Sequence, residues 1–132
     1  MIYFIRQKRG QSVVELALVL PFLLLVLFGI TEFGRAWATQ NVLTSAAREG
    51  ARLAVVTGPD VGLVTTRVTT VCAAAGITPT AIVVVPPDPF DPERRVSVTV
   101  TCNFQVLTGR LLGGFAGTVP LSASTTMRHE SM

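Results

Sequence analysis

Residues 10–30 read GQSVVELALVLPFLLLVLFGI. From Leu16 to Ile30 every residue is apolar except for the breakers Pro21 and Gly29, and Glu15 is the only charge between Arg9 and Glu32. As a helix, Val13 to Ile30 would be about 27 Å long. That nearly matches a hydrocarbon core of about 30 Å. The stretch therefore reads as a single transmembrane helix, preceded by the basic run Arg6-Gln7-Lys8-Arg9. A removable secretory signal would end in a small-residue cleavage site after its apolar core. Here the core runs into Ile30-Thr31-Glu32-Phe33-Gly34-Arg35, which has no such site.

Glu15 admits two readings. Ser12-Val13-Val14-Glu15 has the form of a capping box, with Ser12 starting the helix and Glu15 reaching back to its backbone N–H. A carboxylate at this end of a helix also suits the positive pole of the helix dipole. Alternatively, a carboxylate at the apolar edge is costly unless paired, which marks it as a functional charge.

Charge places the ends of this helix. The chain has 11 basic and 8 acidic residues, a net of +3, and charged residues make up 14%. Average soluble domains carry about 25%. Arg6, Lys8 and Arg9 account for the whole excess, so the basic balance is a topology signal and not a nucleic-acid footprint. The positive-inside rule puts the N-terminus in the cytoplasm and everything after Ile30 across the membrane. An oxidising compartment there permits a disulfide between Cys72 and Cys102. Such a bridge would close a loop of about 30 residues, worth roughly 3–4 kcal/mol in the chain-entropy model. Two buried free thiols are the alternative.

A basic leader ending in Gly10, then an apolar helix with Glu15 at the fifth position after it, resembles the type IV prepilin signal. The words GQSVVELALVLPFLLLVLFGITEFGRA and AAREGARLAV resemble the TadE-like family of pseudopilins of the tight-adherence (Flp) pilus and secretion system, a resemblance that covers roughly Arg9 to Val56. The resemblance implies that a prepilin peptidase cuts between Gly10 and Gln11, and that Glu15 then helps to recognise or align subunits during assembly. It further implies other pilins or pseudopilins and inner-membrane assembly proteins as partners, besides membrane lipid. Chemically, Gly10 leaves the backbone open to a peptidase. Cleavage would free a cationic amine at Gln11, unless it cyclises, and in an apolar bundle that amine and a neighbour's Glu15 can satisfy each other. A type II secretion pseudopilin is a weaker fit, because AAREGAR argues against it. An uncleaved single-pass scaffold, whose exported domain binds partners, is the other class of function.

Four segments are expected: a basic leader over 1–10, the transmembrane helix over 11–30, its exported continuation over 31–57, and a small α+β domain over 58–132. The first helix starts near Ser12 and stops at Thr57-Gly58-Pro59, a span of about 67 Å if straight. Pro21 is tolerable in a membrane helix. Glu32 with Arg35, and Glu49 with Arg52, stand three apart and support the helix weakly. Ile30, Phe33 and Trp37 share one face. Ala46, Gly50 and Ala54 form a small-xxx-small row for close helix packing, against a neighbouring subunit or against an ordinary packing face.

Asp60 reads as the N-cap of a second helix, Val61 to Ala75, closed by Gly76. Thr80 to Val85 reads as a buried strand, and Pro86 to Pro92 as a stiff loop. Its Asp88, Asp91 and Glu93 lack the glycine turn and the ligand count of a calcium loop, so no metal site is expected. Val96, Val98, Val100, Cys102, Phe104 and Val106 alternate with polar residues, a strand with one core face. Thr108 to Gly117 is expected as a Gly-rich loop whose Leu111, Leu112 and Phe115 tuck onto the core. Val119 to Met127 is a third strand, with Pro120 marking an edge. The fold class is α+β: a long N-terminal helix, a short second helix and about three antiparallel strands, a plan that resembles the pilin fold. No catalytic constellation emerges, with His129 the single histidine and near the chain end. No cofactor, nucleic acid or small-molecule substrate is expected.

Overall fold

A computed structural model describes residues 4–58, 60–90, 93–111 and 117–128. Its elements are α1 (Phe4–Thr57), α2 (Val61–Ala74), β1 (Ala81–Val85), β2 (Arg95–Gln105), α3 (Leu107–Leu111) and β3 (Thr118–Arg128). The three strands form one antiparallel sheet in the order β1-β2-β3. The class is α+β, as the sequence indicates.

α1 is one helix of 54 residues with Pro21 inside it, about 81 Å long at the standard rise. It is long and apolar enough to cross a membrane, with an 18-residue window of mean hydropathy 2.8 and 0% of that window buried. The helix begins before Ser12 and runs through Gly10. Ser12 is therefore helical and not an N-cap, which requires a non-helical residue. The capping-box reading of Ser12 and Glu15 is thus corrected: Gln7-Lys8-Arg9 are good helix formers and carry the helix past it.

At its other end α1 becomes the central stave of the core. Leu43, Ala46, Ala47, Ala51 and Ala54 are all fully buried against Val64, Val68 and Cys72 of α2 and Val96, Val98 and Val100 of β2. The helix side of this core is mostly alanine, so the helices and sheet approach closely. Gly50 shows how closely. A Cβ there would stand 2.6 Å from Val68 Cγ2, 3.3 Å from Val98 Cγ1 and 3.4 Å from Val64 Cγ1.

α2 has defined ends. Asp60 sits in an extended conformation and its Oδ1 accepts from the N–H groups of Gly62 and Leu63 at 2.8 and 3.3 Å. At the far end the N–H of Gly76 donates to Ala73 O and that of Ile77 to Cys72 O, both at 2.9 Å. That is the Schellman pattern, and it needs the left-handed φ of +70° that Gly76 supplies.

β2 is the central strand. Val96, Val98, Val100, Cys102 and Phe104 point to the helices, and the alternate residues face away. On that outer face hydroxyls pair across strands, with Thr99 Oγ1 donating to Ser124 Oγ at 3.0 Å and Thr126 Oγ1 to Ser97 Oγ at 3.3 Å. β1 departs from expectation. Among the described residues it pairs only with β2, and Val83 and Val85 are 52% and 51% exposed, so it is an edge strand and not a buried one. β3 is the other edge and carries Pro120 opposite Asn103. Thr108 also differs from expectation, because it is helical in α3 and not part of a loop. The side chain of Leu111, together with Leu112, Phe115, Asp91 and His129, lies outside what is described.

Candidate functional site

The exposed apolar half of α1 and its junction with the folded half form the candidate site. Val13, Leu16, Leu20, Leu23 and Leu27 are between 47% and 65% exposed, though an alkyl side chain in water gains nothing from such exposure. Glu15 is exposed at the start of this run, and among the described residues none forms an ion pair with it. Gly10 and Gln11 are consecutive helical, exposed residues. Arg6, Lys8 and Arg9 belong to the first turns of α1, and their side chains lie outside what is described.

The junction is built around Glu32. Its Oε1 accepts from Leu107 N–H at 2.6 Å, from Thr108 N–H at 2.8 Å and from the Thr108 hydroxyl at 3.1 Å. Its Oε2 meets Arg35 at 3.0 Å. A side chain of α1 thus satisfies the first N–H groups of α3, which every helix start leaves open. Desolvation pushes the Glu32 carboxyl up, but the Thr108 and Leu107 N–H groups, the Thr108 hydroxyl and the Arg35 charge together outweigh it and hold the carboxyl below its usual range. The Arg35 guanidinium also lies 5.1 Å over the Phe104 ring at the end of β2. Higher up, Gln40 Nε2 donates to Ser122 O at 2.8 Å. A cavity of about 260 Å³ lies under this junction, lined by Phe28, Thr31, Glu32, Arg35, Leu107 and Thr108.

Helical spacing pairs Glu32 with Arg35, but its contact with α3 is tertiary and leaves no sequence signal. Glu49 finds Arg67 of α2 at 2.8 Å rather than the Arg52 suggested by spacing. The row Ala46, Gly50 and Ala54 is covered by this chain's own α2 and β2, so it is an internal packing face. Cys72 and Cys102 are both buried, as their faces require, but both are free, which corrects the expected disulfide. Burial pushes both thiols up, and for Cys72 the nearby Cys102 adds to the effect. Among the described residues no group of three or more His, Cys, Asp or Glu could hold a metal ion.

No curated protein and no solved structure matches the chain. The family model described as TadE-like protein matches residues 10–52. That stretch holds the membrane-length run, Glu15, the Glu32 junction and the first part of the α1 core face. Over this third of the chain, the sequence is similar to the TadE-like family.

Proposed function

We propose that the protein is a minor pseudopilin, an assembly component of a tight-adherence pilus or a related secretion system. The observation that carries this reading is a TadE-like α1 whose apolar half is open along its length while its other half is the core of a folded domain. Such a helix suits transfer from lipid into a bundle of like helices, because both surroundings cover the same apolar face. The activity is then packing and not catalysis. The N-terminus stays in the cytoplasm, the inner membrane holds residues 11–30, and the α+β domain faces outward. Other pilins and inner-membrane assembly proteins are the partners. A prepilin peptidase cleaves between Gly10 and Gln11, and the freed amine pairs with Glu15 of a neighbour. Removing one member of such a desolvated pair costs about 3–5 kcal/mol.

The test is intact mass and N-terminal sequencing of the protein from cells with and without their prepilin peptidase. A chain that starts at Gln11 only when the peptidase is present supports the reading. A chain that starts at Met1 in both refutes processing. Glu15→Ala should insert normally but fail in processing or assembly, and normal pili from that variant would remove the proposed role of Glu15.

One observation favours the second reading, an uncleaved membrane scaffold whose outer domain binds partners. α1 passes through the Gly10–Gln11 bond without a break. A helical bond is a poor protease substrate until it unwinds. Recovery only in membrane fractions, and never in sheared pili, supports the scaffold.

A further inference from the structure

We propose that Phe33 and Trp37 seat the folded domain in the lipid headgroup layer, so that the domain rides on the membrane surface and does not stand clear of it. The inference rests on the reading of α1 as a membrane helix. Two faces of α1 at this level behave oppositely. Phe28, Glu32, Ala36 and Gln40 are partly covered on the side of the domain. On another face Ile30, Phe33 and Trp37 are 66%, 71% and 61% exposed, and the two rings stack with centroids 6.3 Å apart. This stripe continues the apolar face of the span without a gap, since Val26 lies one turn below Ile30 and is 56% exposed.

The axial positions identify the occupant. A hydrocarbon core of about 30 Å takes about 20 helical residues, which from Gln11 ends at Ile30. Phe33 then begins about 4–5 Å above the hydrocarbon and the Trp37 backbone about 10 Å above it, against a headgroup layer of roughly 5–8 Å. Helical side chains lean toward the N-terminus, which brings the indole back down into that layer. Tryptophan is at home there, with an apolar body and one N–H for the wet side.

A second element stands at the same height. Leu107 is fixed to Glu32 through its own N–H, and it is 52% exposed. The domain therefore reaches down to the end of the span and presents an apolar side chain there. A lipid surface covers both positions at once, whereas a neighbour's helix packed on the Phe33–Trp37 stripe covers one.

Trp37 is the single tryptophan of the chain, so it reports on its own surroundings. The full chain is reconstituted in phosphatidylcholine vesicles whose lipids are brominated either near the glycerol backbone or near the chain ends. The shallow quencher should reduce Trp37 emission at least about twice as strongly as the deep one, as expected for an interfacial ring. Aqueous iodide should quench it weakly. A control, Leu20→Trp in a Trp37→Phe background, reports on the span itself and should favour the deep quencher. Full iodide access with no bromine quenching overturns the seat and places Trp37 in water. Stronger quenching by the deep lipid overturns it by sinking the ring into hydrocarbon. Shielding from every quencher that grows with the protein-to-lipid ratio overturns it in favour of a second copy. Any of these three results with a deeply quenched Leu20→Trp leaves the membrane span intact. A control quenched only by iodide removes the span as well.

Discussion

Replacing Gly50 with alanine tests the close approach of α1 to α2. The new methyl would lie 2.6 Å from Val68 Cγ2, against an ordinary carbon contact of about 3.5–4.0 Å. Val68 cannot easily yield. It is fully buried, and a valine in a helix has one strongly preferred rotamer. Overpacking of this kind costs about 1–3 kcal/mol. The same change removes a helical glycine, which returns about 1 kcal/mol. With so short a contact the upper half of the range applies, and the net loss is about 1–2 kcal/mol. Each kcal/mol lowers the Tm of a domain of this size by about 4–8 °C.

Thermal unfolding of the full chain in detergent micelles, followed by circular dichroism, gives the number. The companion variant is Val68→Ala, which alone loses about 2 kcal/mol from two buried methyl groups and the space they leave. In the double variant the methyl introduced by Gly50→Ala occupies part of that space. The combined loss should fall short of the sum by about 1–2 kcal/mol, well outside the additivity of about 0.5 kcal/mol found for independent sites. Additive losses, or a Gly50→Ala protein that is more stable by the full propensity gain, would refute the reasoning.

Asp60→Ala removes the cap of α2 and should cost about 0.5–2 kcal/mol, with amide exchange quickening first at Gly62 and Leu63. Glu32 is held below the usual carboxylate range, so its contribution is present above that range and fades as the pH falls through its lowered value. Glu32→Gln should therefore lower the Tm at neutral pH and flatten the acid side of the Tm profile; an unchanged profile would detach α3 docking from this carboxylate. Cys72 and Cys102, raised by burial, should resist alkylation in the native state at mildly alkaline pH and both react after denaturation. Their contribution is intact below the ordinary thiol range and lost as the pH climbs above it, so alkaline unfolding should move to higher pH when both are replaced by alanine.

The parts of the fold that follow from local chemistry are legible in the sequence. β2 declares its core face through strict alternation, and Asp60 and Gly76 frame α2 because capping needs those side chains and that backbone. The membrane-length run of α1 follows from composition alone. The rest depends on partners that spacing does not name. The row Ala46, Gly50 and Ala54 announces a close approach but not whether the other surface belongs to the same chain. The apolar run of β1 has the composition of a buried strand, yet its single partner leaves half of it open. The start of α1 is misplaced by a local capping pattern, which does not reveal that the preceding residues also prefer helix. α3 is hidden because its cap comes from Glu32, far away in the sequence.

The continuity of α1 has a mechanical corollary. Because Leu43 to Ala54 are wedged between α2 and the sheet, the shaft cannot spin about its axis without carrying the whole domain with it. The compass bearing of Glu15 is thereby geared to that of the sheet, and a subunit that aligns one aligns the other. Inserting one alanine between Leu16 and Phe28 would leave the junction and the domain intact while turning Glu15 by about 100° against the sheet. An assembly that reads both bearings should reject that variant, although every domain in it is folded.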